Sequence, residues 1–71
     1  MLMDRGLKAF LAVAQEGSIT AAASKINLTQ SSVTKRIATL ESEIGVLLFY
    51  RDRRGMSLTE AGQLFLLRAE R

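Results

Sequence analysis

The 71-residue sequence predicts a mainly α-helical domain carrying one short β-hairpin. Two observations carry that expectation. Apolar residues recur at helical spacing in four separate stretches, and short polar residues or glycines stand where those stretches begin or end. Between the third and fourth stretch, the β-friendly segments LLFYR (47–51) and GMSLT (55–59) flank Asp52-Arg53-Arg54 beside Gly55, a hairpin pattern with Asp52-Arg53-Arg54 as its turn.

The first helix is expected from Asp4, as its cap, to Gly17, with Leu7, Phe10, Leu11 and Ala14 on its apolar side. Ser18 caps a second helix through about Lys25, whose small Ala21–Ala23 let another helix approach closely. Asn27 and Leu28 make a turn. Thr29 caps a third helix, and Leu28 and Val33 have the spacing of a hydrophobic staple. Val33, Ile37, Leu40 and Ile44 form its core stripe, and Gly45 stops it. After the hairpin, Thr59 caps a last helix, with Glu60 favourably placed against the N-terminal dipole.

Bulk properties narrow the function. A chain this short buries only about 60% of its unfolded surface, and small domains usually compensate with disulfides, metals or oligomerisation. The sequence has no Cys and no His. Disulfides are excluded, a Zn or Fe–S site is implausible, and His-based nucleophilic catalysis is unavailable, so no cofactor is expected. Adjacent Ser24-Lys25 is the nearest approach to a nucleophile–base pair, but neighbours on a helix point in different directions. An enzyme is therefore not expected. Ten basic against seven acidic residues, net +3, favour a polyanionic partner mildly. With no signal peptide and no long apolar run, the chain reads as soluble and cytoplasmic, with no membrane partner. The closing LFLLRAER (64–71) stops in mid-pattern, which reads as part of a longer protein.

The second and third helices, joined by a short turn, match a helix-turn-helix. On the third helix Ser31, Lys35, Ala38 and Ser42 lie opposite the core stripe, with Ser32 and Thr34 on the flanks. Gln30, Ser31 and Ser32 occupy the first turn, the part of a recognition helix that reaches base edges. Gln suits the adenine N6/N7 edge, Lys suits guanine O6/N7, and the methyl groups of Thr34 and Ala38 suit thymine. Gln30, Ser31, Thr34, Lys35 and Ala38 are thus the candidate base contacts. Arg51, Arg53 and Arg54 of the hairpin are candidates for phosphate or the minor groove, with Ser18, Thr29, Ser32 and Arg36 as further backbone candidates. A winged helix that binds only protein is the competing possibility, and a basic third helix and hairpin speak against it.

The run AVAQEGSITAAA (12–23), then LTQSSVTKRIATLESEIGVLLFYR (28–51), then LTEAGQ (58–63) resembles the N-terminal winged helix-turn-helix of LysR-type bacterial transcriptional regulators. The resemblance covers nearly the whole chain. It implies sequence-specific binding of double-stranded DNA, with Gln30, Ser31, Thr34 and Lys35 toward the major groove and Arg53 and Arg54 in the wing. It also implies a division into a DNA-binding domain, 1–58, and the start of a dimerising linker helix, 59–71. Position 31, often Pro in the family, is Ser, and positions 34–35, often Ser-Arg, are Thr-Lys. Lys lacks the fork with which Arg grips guanine. Regulators of this type carry a C-terminal effector-binding domain, which these residues do not include, so a small-molecule effector would act only through that missing part.

Large side chains surround the last helix. With Leu64 at zero, Phe65, Leu66 and Leu67 fall near roughly 100°, 200° and 300°. One face suffices to cover the core, so Leu64, Phe65, Leu66 and Leu67 are expected at a dimer contact; cover by a following domain is the alternative, and the family resemblance favours the dimer. A homodimer would set half-sites ~34 Å or a multiple apart on a roughly palindromic operator; the resemblance implies a higher oligomer for the full-length protein.

Overall fold

The computed structural model describes Leu2–Ala69, with side chains from Arg5 onward. Its elements run α1 (Leu2–Glu16), α2 (Ile19–Lys25), α3 (Gln30–Ile44), β1 (Phe49–Asp52), β2 (Gly55–Leu58) and α4 (Glu60–Ala69). Three helices, a two-stranded wing and a closing helix make the expected winged helix-turn-helix.

α1 departs from expectation in two ways. It begins at Leu2, so Asp4 lies in its first turn and is not its cap; Leu and Met are strong helix formers, and the helix extends through them. The Asp4 side chain lies outside the described ones. The buried face is also rotated: Ala9, Phe10, Ala12 and Val13 are buried, while Leu7, Leu11 and Ala14 are only half-buried. Small residues decide this, because the line of closest helix approach falls where side chains are shortest. A Cβ added to Gly6 would stand 3.2 Å from Leu40 Cβ on α3.

The helix-turn-helix is set by local hydrogen bonds. Ser18 Oγ accepts from the Ala21 N–H at 3.1 Å and opens α2, whose Ala22 and Ala23 are buried. At its far end Asn27 is left-handed (φ 57). The Leu28 N–H donates to Ala23 O at 2.9 Å and the Asn27 N–H to Ser24 O at 3.4 Å, so the last carbonyls of α2 are satisfied as the chain turns. Asn is among the few non-glycine residues that adopt this conformation readily. Thr29 Oγ1 accepts from the Ser32 N–H at 3.0 Å and starts α3. Gly45, left-handed at φ 78, ends α3 by donating to Glu41 O. Val33, Ile37 and Leu40 are buried and Ile44 packs on the same cluster.

The wing strands are shorter than LLFYR and GMSLT suggest: the first begins two residues later and the second ends one residue earlier. Leu47 and Leu48 precede β1, and Asp52 pairs with Gly55 inside the antiparallel ladder, leaving Arg53-Arg54 as the loop. The Asp52 carboxylate accepts from the Arg54 N–H at 2.8 Å and shapes that loop. Gly55 absorbs the reversal with φ 126. The Glu41 carboxylate reaches past the end of α3 to accept from the N–H groups of Leu48 (2.7 Å) and Phe49 (3.3 Å), which ties the strand to the helix.

α4 closes the core. Buried Thr59 donates through Oγ1 to Leu47 O (2.7 Å) and accepts at the same oxygen from the Gly62 N–H (2.9 Å), while its own N–H donates to Leu48 O (3.0 Å). A side chain at Gly62 would collide with Leu48 O, so only glycine lets α4 lie this close. Phe10 joins the layers: its ring lies 5.3 Å from that of Phe49 and 4.9 Å, edge to face, from that of Phe65.

Phe10→Ala should cost about 3–5 kcal/mol. That is of the order of the whole stability of such a domain, ~0.05–0.15 kcal/mol per residue, so urea titration should show no cooperative transition left near the parent midpoint. Thr59→Ala should cost about 1–2 kcal/mol and move the midpoint without abolishing the transition.

Candidate nucleic-acid interface

Because Val33, Ile37 and Leu40 point inward, α3 presents its other faces to solvent. Gln30, Ser31, Lys35, Ala38 and Ser42 are exposed along one surface, and Thr34 is half-buried at its edge. The five candidate base contacts therefore share the outer side of one helix. The cap consumes part of the hydrogen-bonding capacity beside them. Thr29 Oγ1 accepts from Ser32 N–H and donates to Ser32 Oγ at 3.0 Å, so Thr29 is committed to the helix start although it is exposed. Ser32 keeps its hydroxyl proton, and so does half-buried Ser18, whose oxygen serves as the α2 cap.

The wing stands beside this face. Arg51, Arg53 and Arg54 are all exposed, and a groove between wing and helix is lined by Thr34 and Ala38 of α3 and by Tyr50 and Arg51 of β1. Tyr50 is 61% exposed, an aromatic ring with a free edge next to two candidate base contacts. Alternation along β1 places it outward once Phe49 is buried, but its position over α3 depends on how the wing is hung. That attachment rests on two glycines. The Met56 N–H donates to Gly17 O at 3.1 Å, and a Cβ on Gly55 would collide with the same carbonyl oxygen. The left-handed turn that ends α1 (Gly17, φ 68) is thus the bracket of the wing.

Arg36 is half-buried on the opposite flank of α3, in a second groove shared with Lys35 and with Arg5 of α1. Arg5 and Tyr50 are absent from the sequence-based candidates, because only the packing of α1 and the wing against α3 brings them to this surface. On α4, Leu64 and Leu67 are 53% and 65% exposed, whereas Phe65 and Leu66 are half-buried against the domain's own core. The four residues expected at a dimer contact therefore divide into two that face outward and two that serve the core. Among the described residues no cluster of three or more His, Cys, Asp or Glu is placed to hold a metal.

Comparison with known proteins places the fold in a family. Residues 5–63 match the family described as bacterial regulatory helix-turn-helix protein, lysR family. The chain is 51% identical over 69 residues to the HTH-type transcriptional regulator YofA of Bacillus subtilis (strain 168), covering 96% of the chain and 24% of that protein. It superimposes on the DNA-binding domain of CbnR in its DNA complex with a TM-score of 0.89 at 42% identity, covering 93% of this chain and 76% of that one. With the BenM DNA-binding domain bound to catB site 1 DNA the TM-score is 0.90 at 36% identity, covering 99% and 76%. The chain spans about a quarter of the length of the curated relatives it matches.

Gly55→Ala strains a positive φ and pushes on Gly17 O, so it should cost more than about 1 kcal/mol. Amide hydrogen exchange at Met56 should accelerate beyond what the global loss of stability accounts for; exchange tracking global stability alone would show that the wing is not hung on Gly17.

Proposed function

The chain belongs to the LysR family of bacterial regulatory helix-turn-helix proteins, and on that premise we propose that it binds operator DNA with α3 in the major groove. The carrying observation is the continuous exposed surface from Gln30 to Ala38, flanked by the arginines of the wing. Gln30 pairs with an adenine edge, Lys35 donates to guanine O6/N7, Ser31 hydrogen-bonds a base edge, and the methyls of Thr34 and Ala38 meet thymine. Ser18, Thr29, Ser32, Arg36 and Arg51 contact the backbone, while Arg53 and Arg54 at the loop lie on phosphate or enter the minor groove. The exposed hydroxyl of Ser31, where proline is common in the family, adds a donor at the base-reading end of the helix. The site is cytoplasmic, where a bacterial chromosome is reached; no described helix is long and apolar enough to cross a membrane.

We further propose a homodimer built through α4. Leu64 and Leu67 supply its apolar contact, and Phe65 and Leu66 hold the helix to its own domain. Such a pairing places two copies of α3 in successive major grooves of a roughly palindromic operator. Control by a small-molecule effector, and any higher oligomer, belong to parts of the protein beyond these 71 residues.

Selection from a random duplex library, repeated with variants, tests the orientation of α3. Gln30→Ala and Lys35→Ala should each cost about 1–3 kcal/mol at one base position and relax preference there, while Arg53→Ala weakens all sequences alike unless it reads a narrow minor groove. An unchanged motif with Gln30→Ala would falsify the assigned face. Five cations per subunit, Lys35, Arg36, Arg51, Arg53 and Arg54, bound the log–log salt slope of a dimer near about −9, and incomplete engagement places it at roughly −4 to −7. A slope of zero removes DNA binding altogether.

Sedimentation equilibrium addresses the dimer. Leu67→Glu should shift the population to a monomer that still unfolds cooperatively, since the side chain is 65% exposed in the single subunit. A dimer that survives the substitution does not use this helix.

A further inference from the structure

The groove between the start of α1 and one flank of α3 has core Leu40 at its floor side and Lys35 at its border with the outer face of α3. Arg5 lines it with Ser32, Lys35, Arg36 and Thr39, and Glu43 lines its far end. The close packing of Gly6 on Leu40 brings Arg5 there, because it draws the beginning of α1 onto the middle of α3. Ser32, Arg36, Thr39 and Glu43 recur at helical spacing and occupy one flank of α3; the wing lines the other, with Thr34 and Ala38.

A helix seated in the major groove, about 12 Å wide, has a sugar–phosphate strand along each wall. On the wing side Arg51 faces one strand. On the other side, with Lys35 assigned to a base, the cations left for the second strand are Arg36 and, from outside the helix-turn-helix, Arg5. We infer that Arg5 and Arg36 together seat a DNA phosphate in the α1–α3 groove, with the hydroxyls of Ser32 and Thr39 as neutral donors. The seat extends the DNA-binding proposal above and depends on it. Three cations against one carboxylate make the groove net positive. Glu43 is seven residues from Arg36, roughly 10 Å along the helix, so it limits the seat to the N-terminal half of α3. Two guanidinium forks suit a phosphate's paired oxygens better than ammonium groups would. Because the contact is to phosphate, it adds affinity and register without reading sequence.

The test is fluorescence anisotropy of the 71-residue chain on its library-selected operator and on an unrelated duplex, over a range of KCl concentrations. Arg5→Ala should weaken both complexes about eightfold per bound subunit at ~0.1 M salt, leave the preferred sequence unchanged and flatten the salt slope by about 0.9 per subunit. Arg5→Lys should restore the slope. A scan of single methylphosphonate substitutions along the operator should reveal one phosphate per half-site whose neutralisation weakens the parent but not Arg5→Ala; this readout is made on bound, folded protein and is independent of any change in melting temperature. Parent-like affinity and slope for Arg5→Ala, with Arg53→Ala weakened, overturns the seat and leaves the DNA-binding proposal standing. A salt-independent parent overturns both.

Discussion

Phe10 stands where three parts of the domain meet. Its ring, fully buried, touches Phe49 at the start of the wing and Phe65 in the last helix, at centroid distances of 5.3 and 4.9 Å. The three aromatics come from α1, β1 and α4, elements far apart in sequence, and they are all of the chain's phenylalanines. A 71-residue domain has little interior with which to resist unfolding. Concentrating all three phenylalanines at one junction binds the wing and the closing helix to the helical unit, and the position of both relative to α3 follows. Without that junction the helix-turn-helix would still have its caps, but the arginines of the wing would have no fixed place beside it.

Around this junction, small residues set distances that large ones could not. Gly6 brings α1 onto α3, Gly62 brings α4 onto the carbonyl of Leu48, and Gly55 lies against the carbonyl of Gly17. Polar groups then lock the joints. Glu41 holds the entry to β1 through two backbone N–H groups, and Thr59 serves as helix cap, as donor to Leu47 and as backbone link to Leu48. Among the described residues, no buried side-chain nitrogen or oxygen is left without a partner. That matters in a domain of marginal stability, where one unsatisfied buried group costs about 1–3 kcal/mol.

α3 serves three environments at once. Its Val33, Ile37 and Leu40 face the core, its outer side carries Gln30, Ser31 and Lys35, and its two flanks open onto grooves completed by α1 and by the wing. A net charge of +3 would be a weak attractor if spread evenly. Folding sets Arg5, Lys35 and Arg36 along one groove of α3 and Arg51, Arg53 and Arg54 on the wing beside the other, so six of the ten basic residues lie around this helix. The backbone that carries these groups superimposes on the DNA-binding domains of CbnR and BenM in their DNA complexes.

Much of this was legible from local chemistry. Ser18 and Thr29 cap the helices they precede, Gly17 and Gly45 end helices in the left-handed conformation, and the α3 stripe is buried as its spacing requires, because caps and periodicity involve neighbours within one or two turns. The same reasoning placed the outer face of α3 and the cations of the wing. It failed where the outcome depends on partners distant in the chain. Periodicity alone could not tell which of two overlapping apolar stripes on α1 would be buried, since the close fit of Gly6 to Leu40 decides that. The limits of the wing depended on Glu41 and on pairing with Gly17, and the division of α4 into Phe65 and Leu66 inward, Leu64 and Leu67 outward, depended on where Phe10 lies. The sequence by itself determined the order of the elements, the caps and glycine stops at Gly17, Ser18, Thr29 and Gly45, and the polar outer face of α3, because those are local. Only the tertiary structure decided which residues from other elements join that face, because a groove between helices exists only once both are packed.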